Sequence, residues 1–262
     1  MAIPQRLVFG EVADLYDRHR PSYPGGLVDD LLAEAAPAPG ERVLEVGAGT
    51  GKATELFAAR GAAVLAVEPS PAMAAVARRR CAGHSQVTVV ESDFEVLDLG
   101  GETFPLLYAA QAWHWIDPDV RYRRARAALP PGGLLGVFWN RPVWGDSPLR
   151  AALSDAYRRH APDMPLDSPL HPDNPAPRGD DDWPGEIAAV PEFSAPEVRF
   201  YDWWQDYTPD DYAALMNTLS DFRQLPAEHR DALVTAIRRT VADHGGTLSM
   251  PMTTRLHTAR AA

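Results

Sequence analysis

The sequence predicts an α/β fold of the doubly wound, Rossmann-like type: a mostly parallel seven-stranded sheet with helices on both faces and an added helical lid. Three observations carry this. Short apolar runs alternate with helical segments of about a dozen residues, the pattern of βαβ units. The early runs RVLEV and AVLAVE are almost continuously apolar, as strands covered on both faces must be. A glycine-rich turn, Gly47-Ala48-Gly49-Thr50-Gly51, joins the first of these runs directly to a helix.

Taken in order, residues 11–19 (EVADLYDRH) read as a short helix interrupted by Pro21 and Pro24. Residues 25–36 form a second helix that stops before Pro37. RVLEV is the first strand, GAGTGK a turn, and ATELFAARG a helix ended by Gly61. AVLAVE is the second strand, PSP a turn and AMAAVARRRCA a helix whose arginines suit the negative end of the helix dipole. QVTVVES and FPLLYAAQA are the third and fourth strands, VRYRRARAAL a helix and LLGVFWN the fifth strand. SPLRAALSDAYRRH is helical. Residues 161–196 then hold nine prolines, and the stretch 161–185 predicts an irregular cover with neither helix nor central strand. EVRFYDWWQDYT alternates as a sixth strand, PDDYAALMNTLSDF and PAEHRDALVTAIRRTVADHG are helices, and TLSMPMTTRLHTARA is the last strand.

The whole of 1–262 reads as one domain, with cap helices in 1–36, a cofactor-binding core in 41–140, a lid and late strand in 141–245 and the last strand in 246–262. A formal net charge of −11 repels a phosphate backbone, so nucleic acid is not an expected partner. The basic runs Arg78-Arg79-Arg80 and Arg121, Arg123, Arg124 and Arg126 read as solvated helix faces. A single cysteine, Cys81, excludes an internal disulfide and fits a reducing compartment. Without an apolar leader or an apolar run of about 18 residues, the expectation is a cytoplasmic protein with no membrane partner. Oligomeric state is left open.

Glycines between a strand and a helix allow a tight turn and close approach of a ligand to the backbone. A dinucleotide loop would place its third glycine at position 52, which is Lys52; a Walker loop would need Gly-Lys-Ser/Thr after four free positions. Glu68 ends the second strand about 20 residues past the first glycine, the spacing at which an acid meets a ribose diol. A carboxylate suits that task because it accepts from both hydroxyls.

The segments VLEVGAGTGK, AVEPSPAM, VVESDFEVLDL and AAQAWHWIDP make residues 41–140 resemble the class I S-adenosylmethionine-dependent methyltransferases. YDRHRPSYP and QAWHWIDP are similar to the small-molecule subgroup that includes trans-aconitate-methyltransferase-like enzymes. The resemblance implies S-adenosylmethionine as cofactor and assigns it residues. Gly47, Ala48 and Gly49, with Gly51 completing the loop, would lie against its methionyl part, and Glu45 near its ammonium. Glu68 would hold the ribose, with Pro69 and Met73 beside the adenine. Asp93 would accept from the adenine amine next to Phe94, and Gln111 would close the methionyl side. Tyr16, Arg20 and Tyr23 would cap the cofactor. Plainer readings stand beside these: Glu45 as a strand-end acid, Met73 as core, Tyr16 and Tyr23 as helix anchors, and Arg20 paired with Asp14 or Asp17. No Asn-Pro-Pro-Tyr pattern follows the fifth strand, which weighs against an adenine or glutamine amide acceptor.

Methyl transfer from a sulfonium is an in-line displacement that rests on alignment. His114, between Trp113 and Trp115 past the fourth strand, is the expected catalytic residue, as a base or as a hydrogen-bond donor to the acceptor; a hinge role is the alternative. Trp113, Trp115, Trp139 and Trp144 are the expected acceptor-pocket residues. Of Trp203 and Trp204, one is expected in the core. No metal is expected: the sequence holds no CxxC, no HExxH and no calcium-type acid set. The expected function is O-methylation of a small metabolite. Transfer to nitrogen or carbon of a natural product is the alternative within enzymes, and a cofactor-binding protein without transfer the alternative outside them.

Overall fold

The computed structural model describes residues 13–175 and 182–262. Seven strands make one sheet: β1 (Arg42–Val46), β2 (Ala63–Glu68), β3 (Val87–Glu91), β4 (Leu106–Ala110), β5 (Leu134–Pro142), β6 (Glu197–Tyr207) and β7 (Leu248–Arg260). Their order is β3-β2-β1-β4-β5-β7-β6. The first five are parallel, and β7 runs antiparallel between β5 and β6. The mostly parallel seven-stranded sheet expected from the pattern is the one observed.

Alternation along the strands sorts side chains to two faces. Leu44, Val46, Leu107, Ala109, Leu135 and Val137 join one apolar core with Phe104, Tyr122 and Ala125, the last two on helix α5 (Arg121–Ala128). Val43, Val64, Leu106, Tyr108, Leu134 and Phe138 face the other core, where α2 (Gly25–Ala35) contributes Leu27, Val28 and Leu31 and α3 (Lys52–Ala58) contributes Phe57. Glu45 points to this second face, an acid among apolar neighbours. Helix α4 (Pro71–Arg80) starts from Ser70, whose hydroxyl accepts from Met73 N, with Pro71 in the first turn.

The added helices are α1 (Ala13–His19), α6 (Pro148–His160), α7 (Trp183–Ala188), α8 (Pro209–Met216), α9 (Ser220–Gln224) and α10 (Ala227–Asp243). Leu153, Tyr157, Tyr212, Met216, Leu233 and Ile237 unite α6, α8 and α10 into a third core against Leu248 and Met250 of β7. Helix α1 packs between α8 and α4. Its acids are latched to α4: Arg79 donates to Asp14 at 2.8 Å, and Arg80 bonds Asp17 at 2.7 Å and Glu55 at 2.6 Å.

Several expectations need correction. The helix foreseen over PDDYAALMNTLSDF is two helices, because Asn217 Nδ2 returns to Ala213 O and Thr218 Oγ1 to Leu215 O, polar bonds that compete with the helix ladder. The stretch 161–185 is not free of helix: α7 begins at Trp183, capped by Asp182, whose carboxylate accepts from Gly185 N at 3.0 Å. Upstream, Ala161, Met164, Leu170 and His171 are buried, so this cover is packed. Residues 11 and 12 of the first helix, and Asp180 and Asp181, lie outside the described residues. Arg121 is not solvated; it is buried, bonded to Glu186, and its guanidinium lies 5.0 Å from the Trp183 ring. Among the described residues no helix is long and apolar enough to cross a membrane.

Candidate active site

Strand order reverses between β1 and β4, which opens a crevice at their carboxyl ends. A cavity of about 270 Å³ lies there. Gly47 N and Ala48 N both donate to Val67 O, at 2.9 and 3.0 Å, so the glycine loop sits on the end of β2. Gly47 has φ 72°, and a Cβ on it would fall 2.4 Å from Ala112 Cβ. No side chain fits there. Gly51 is a correction: it is not on the cavity wall but faces Ala77, with room of only 3.1 Å to its Cα. The third glycine serves the approach of α3 to α4.

Five acids line the cavity: Glu45, Glu68, Asp93, Glu95 and Asp221. Glu68, 6% exposed, accepts from Gly49 N at 2.8 Å through one oxygen and from Ser70 N at 2.9 Å through the other. It therefore braces the loop as well as lining the site. Burial raises its pKa, and the two backbone donors pull against that. Glu45 is fully buried; Oε2 accepts from Thr54 and Tyr108, and Oε1 has no hydrogen-bond partner. Desolvation pushes its pKa to about 8, with the Thr54 and Tyr108 bonds opposing and Glu68 adding repulsion. Asp93 stands on the wall with Phe94, Pro69 and Met73. Gln111 also lines the cavity, at φ 57°, a left-handed conformation that is strained for a residue with a side chain and recurs at functional sites. Its N–H donates to Phe138 O at 2.9 Å, which holds the turn.

The cover comes from both ends of the chain. Tyr16, Arg20 and Tyr23 meet Pro169 and Leu219–Asp221 across the opening. Arg20 does not pair with Asp14 or Asp17, which Arg79 and Arg80 take; it clasps Thr218, donating to Oγ1 at 2.8 Å and to the carbonyl at 3.1 Å. Tyr23 packs edge-on against Phe138 at 5.1 Å. Asn140 ties the same segment to the sheet: its Nδ2 donates to Ser22 O at 2.8 Å, and its Oδ1 accepts from Thr254 at 2.6 Å.

At the other end of the cavity the expected tryptophan pocket is only partly present. His114 and Trp115 line it. Trp113 does not: it is 0% exposed and packs edge-on against Tyr122 in the core. Trp139 lies behind His114, not on the wall, and Trp144 packs on the third core. The flanking tryptophans do not bury His114, which is exposed. Of the later pair, Trp203 packs inward and Trp204 is 68% exposed. Wall residues missed from sequence include Lys52, Ser92, Glu95, Asn140 and Arg141 and the lid residues Pro169 and Leu219–Asp221. Glu95 had a local signal in its place two residues after Asp93; the lid residues had none. Among the described residues no group of three His, Cys, Asp or Glu side chains could hold a metal ion.

Carboxylates at separate points of one cavity suit a ligand with a cationic amine, a cis-diol and an exocyclic amine. Residues 43–133 match a family described as "Methyltransferase domain". An uncharacterised methyltransferase of Mycobacterium tuberculosis is 41% identical over 134 residues, 51% of this chain and 52% of that protein. Trans-aconitate 2-methyltransferase of Methylobacterium nodulans is 38% identical over 112 residues, 41% of this chain and 42% of that protein. The chain spans about half the length, or less, of these relatives. A solved SAM-dependent methyltransferase from Geobacter sulfurreducens, in complex with S-adenosyl-L-homocysteine, shares the fold at TM-score 0.52 and 16% identity, over 99% of both chains. Residues 43–133 are thus similar to a methyltransferase domain, and the whole chain shares its fold with a solved SAM-dependent methyltransferase.

Proposed function

We propose that this chain methylates a small-molecule acceptor, at oxygen, with S-adenosylmethionine as donor. The observation that carries the proposal is the partly covered cavity: the Arg20–Thr218 clasp, Pro169 and Leu219–Asp221 lie over one side of a space of about 270 Å³, a size that suits a cofactor and a small acceptor. The acidic chain, at net charge −11, also disfavours RNA. The relative named for trans-aconitate supports a small acceptor.

The bound cofactor supplies an electrophilic methyl group on its sulfonium. The chain's own contribution is to bind, orient and exclude water. Glu45, Glu68 and Asp93 anchor the donor side, Gly47 and Gln111 shape its backbone wall, and His114 with Trp115 orients the acceptor. Tyr16, Arg20 and Tyr23 close the chamber.

The test is formation of S-adenosylhomocysteine with panels of small organic acids, phenols, amines, RNA and unfolded protein, the products identified by mass. Product with small oxygen acceptors is expected. Turnover confined to RNA or protein would overturn the proposal.

A further inference from the structure

We infer that Asn140 is a positioning residue for the cofactor cavity: a one-way chain of hydrogen bonds that starts at Trp203 fixes its amide, and the amide, as a donor, holds the cap segment over the cavity. The cofactor named in the test rests on the proposed methyl transfer; the positioning of the cap stands without it.

The sheet places the partners. Asn140 on β5 and Thr254 on β7 are directly opposite in the antiparallel register, so their side chains share a face. Thr254 is opposite Tyr201 of β6, and Trp203, two residues further along, lies on the same face. Trp203 Nε1 is 3.0 Å from Thr254 Oγ1, which is 2.6 Å from Asn140 Oδ1. Asn140 Nδ2 is 2.8 Å from Ser22 O. The direction of each bond follows from what each atom can do. An indole nitrogen only donates, and a backbone carbonyl only accepts. The Thr254 oxygen therefore receives the indole proton and gives its own to Asn140. The opposite amide orientation would set Asn140 Oδ1 against the Ser22 oxygen with no hydrogen between them. Thr254 is 0% and Asn140 4% exposed, so water does not stand in for a lost partner.

The residue meets two parts of the cavity wall. Pro21 and Tyr23, on either side of Ser22, line the cavity, and Tyr23 packs on Phe138, two residues before Asn140. Gln111, in its left-handed turn, lines another part and reaches the Asn140 carbonyl with Nε2 at 3.4 Å. The amide thus sets how Pro21 and Tyr23 stand against the strand end that carries Gln111.

A carboxylate at this position has the same shape and the opposite effect. It still accepts from Thr254, but it turns a second acceptor toward Ser22 O, and the two oxygens repel. Protonation restores the pattern: a neutral carboxyl donates its O–H to Ser22 O and accepts from Thr254 through the other oxygen. Burial beside a carbonyl favours that neutral form as pH falls.

The test is Asn140→Asp, followed beside the wild type from about pH 8 to about pH 5, with Asn140→Leu and Thr254→Val as variants that cannot titrate. Hydrogen exchange by mass spectrometry, corrected for the intrinsic pH dependence of exchange, reads residues 13–24 in the cofactor-free protein. Calorimetry reads the affinity for S-adenosylmethionine. At about pH 8, Asn140→Asp should exchange the cap several-fold faster than the wild type and bind about tenfold more weakly. Toward pH 5 both ratios should fall toward one in Asn140→Asp and stay level in Asn140→Leu and Thr254→Val. Cap exchange equal to wild type in a folded Asn140→Asp at pH 8 would overturn the inference. So would ratios that stay level with pH in Asn140→Asp, or a recovery shared by the variants that cannot titrate, since donation to Ser22 would then not be what position 140 supplies. Cap exchange that follows the expected pattern in a protein that binds no S-adenosylmethionine would support the positioning and remove only the cofactor reading.

Discussion

Replacing Glu45 by Gln should stabilise the cofactor-free protein and weaken cofactor binding. The carboxyl is fully buried, and its pKa rises from 4.5 to about 8 in the fold. Because the folded value lies above the unfolded one, the contribution to stability is fully present below about pH 4.5. It is lost as pH climbs to about 8, where a charge must be carried without water. At about 1.4 kcal/mol per pKa unit, the loss above pH 8 is of order 5 kcal/mol. Glutamine cannot ionise. Its carbonyl can still accept from Thr54 and Tyr108, so the packing survives. Urea denaturation of the cofactor-free protein should show the variant near wild type at pH 5 and several kcal/mol more stable at pH 8. Calorimetry at pH 8 should show S-adenosylmethionine bound about 10- to 100-fold more weakly, the worth of one charged hydrogen bond. Below pH 8 the wild type should release a proton on binding, visible as a buffer-dependent heat that the variant lacks. A stability gap that stays constant from pH 5 to pH 8 would refute the reasoning, since it would mean that Glu45 does not titrate in the fold.

Glu68→Ala should cost about 1.5–3 kcal/mol of cofactor affinity by calorimetry. It should also lower Tm, since Gly49 N and Ser70 N lose their acceptor; unchanged affinity would remove Glu68 from the binding wall. His257 is buried with both ring nitrogens unpartnered, and burial holds its pKa at about 4, so stability erodes as pH falls from 6.5 toward 4. His257→Phe should flatten that acid limb in denaturation series, and a limb of unchanged slope would place its origin elsewhere.

The glycine-loop wall of the cavity was legible because its signals are local. Glycines between a strand and a helix, an acid closing the next strand and Asp93-Phe94 after the third all sit where parallel strands end, and the sheet brings those ends together. The acceptor side was not, because direction within a turn decides it. Trp113–Trp115 is a 3₁₀ turn, in which successive side chains diverge by about 120°. One tryptophan therefore enters the core while His114 and Trp115 face the cavity, and the letters WHW do not say which. Gly51 misled for a similar reason: a glycine that admits a ligand and one that admits a neighbouring helix look alike. Arg121 read as a solvated residue because its partner, Glu186, lies 65 residues away. The lid contact of Arg20 with Thr218 likewise depends on a partner that no local window contains.

The place of β7 also bears on how the cover of the cavity is held. Asn140 anchors Ser22, 118 residues before it, and is itself held by Thr254, 114 residues after it. The cap segment is latched to α4 and to Asn140 of β5, and residues 248–260, lying between β5 and β6, add the Thr254 bond that holds Asn140 in place. These contacts join residues more than a hundred positions apart, and closing such loops costs entropy before the contacts repay it. Through Asn140, β7 thus braces the segment that covers the cavity, although no residue of β7 stands on the cavity wall.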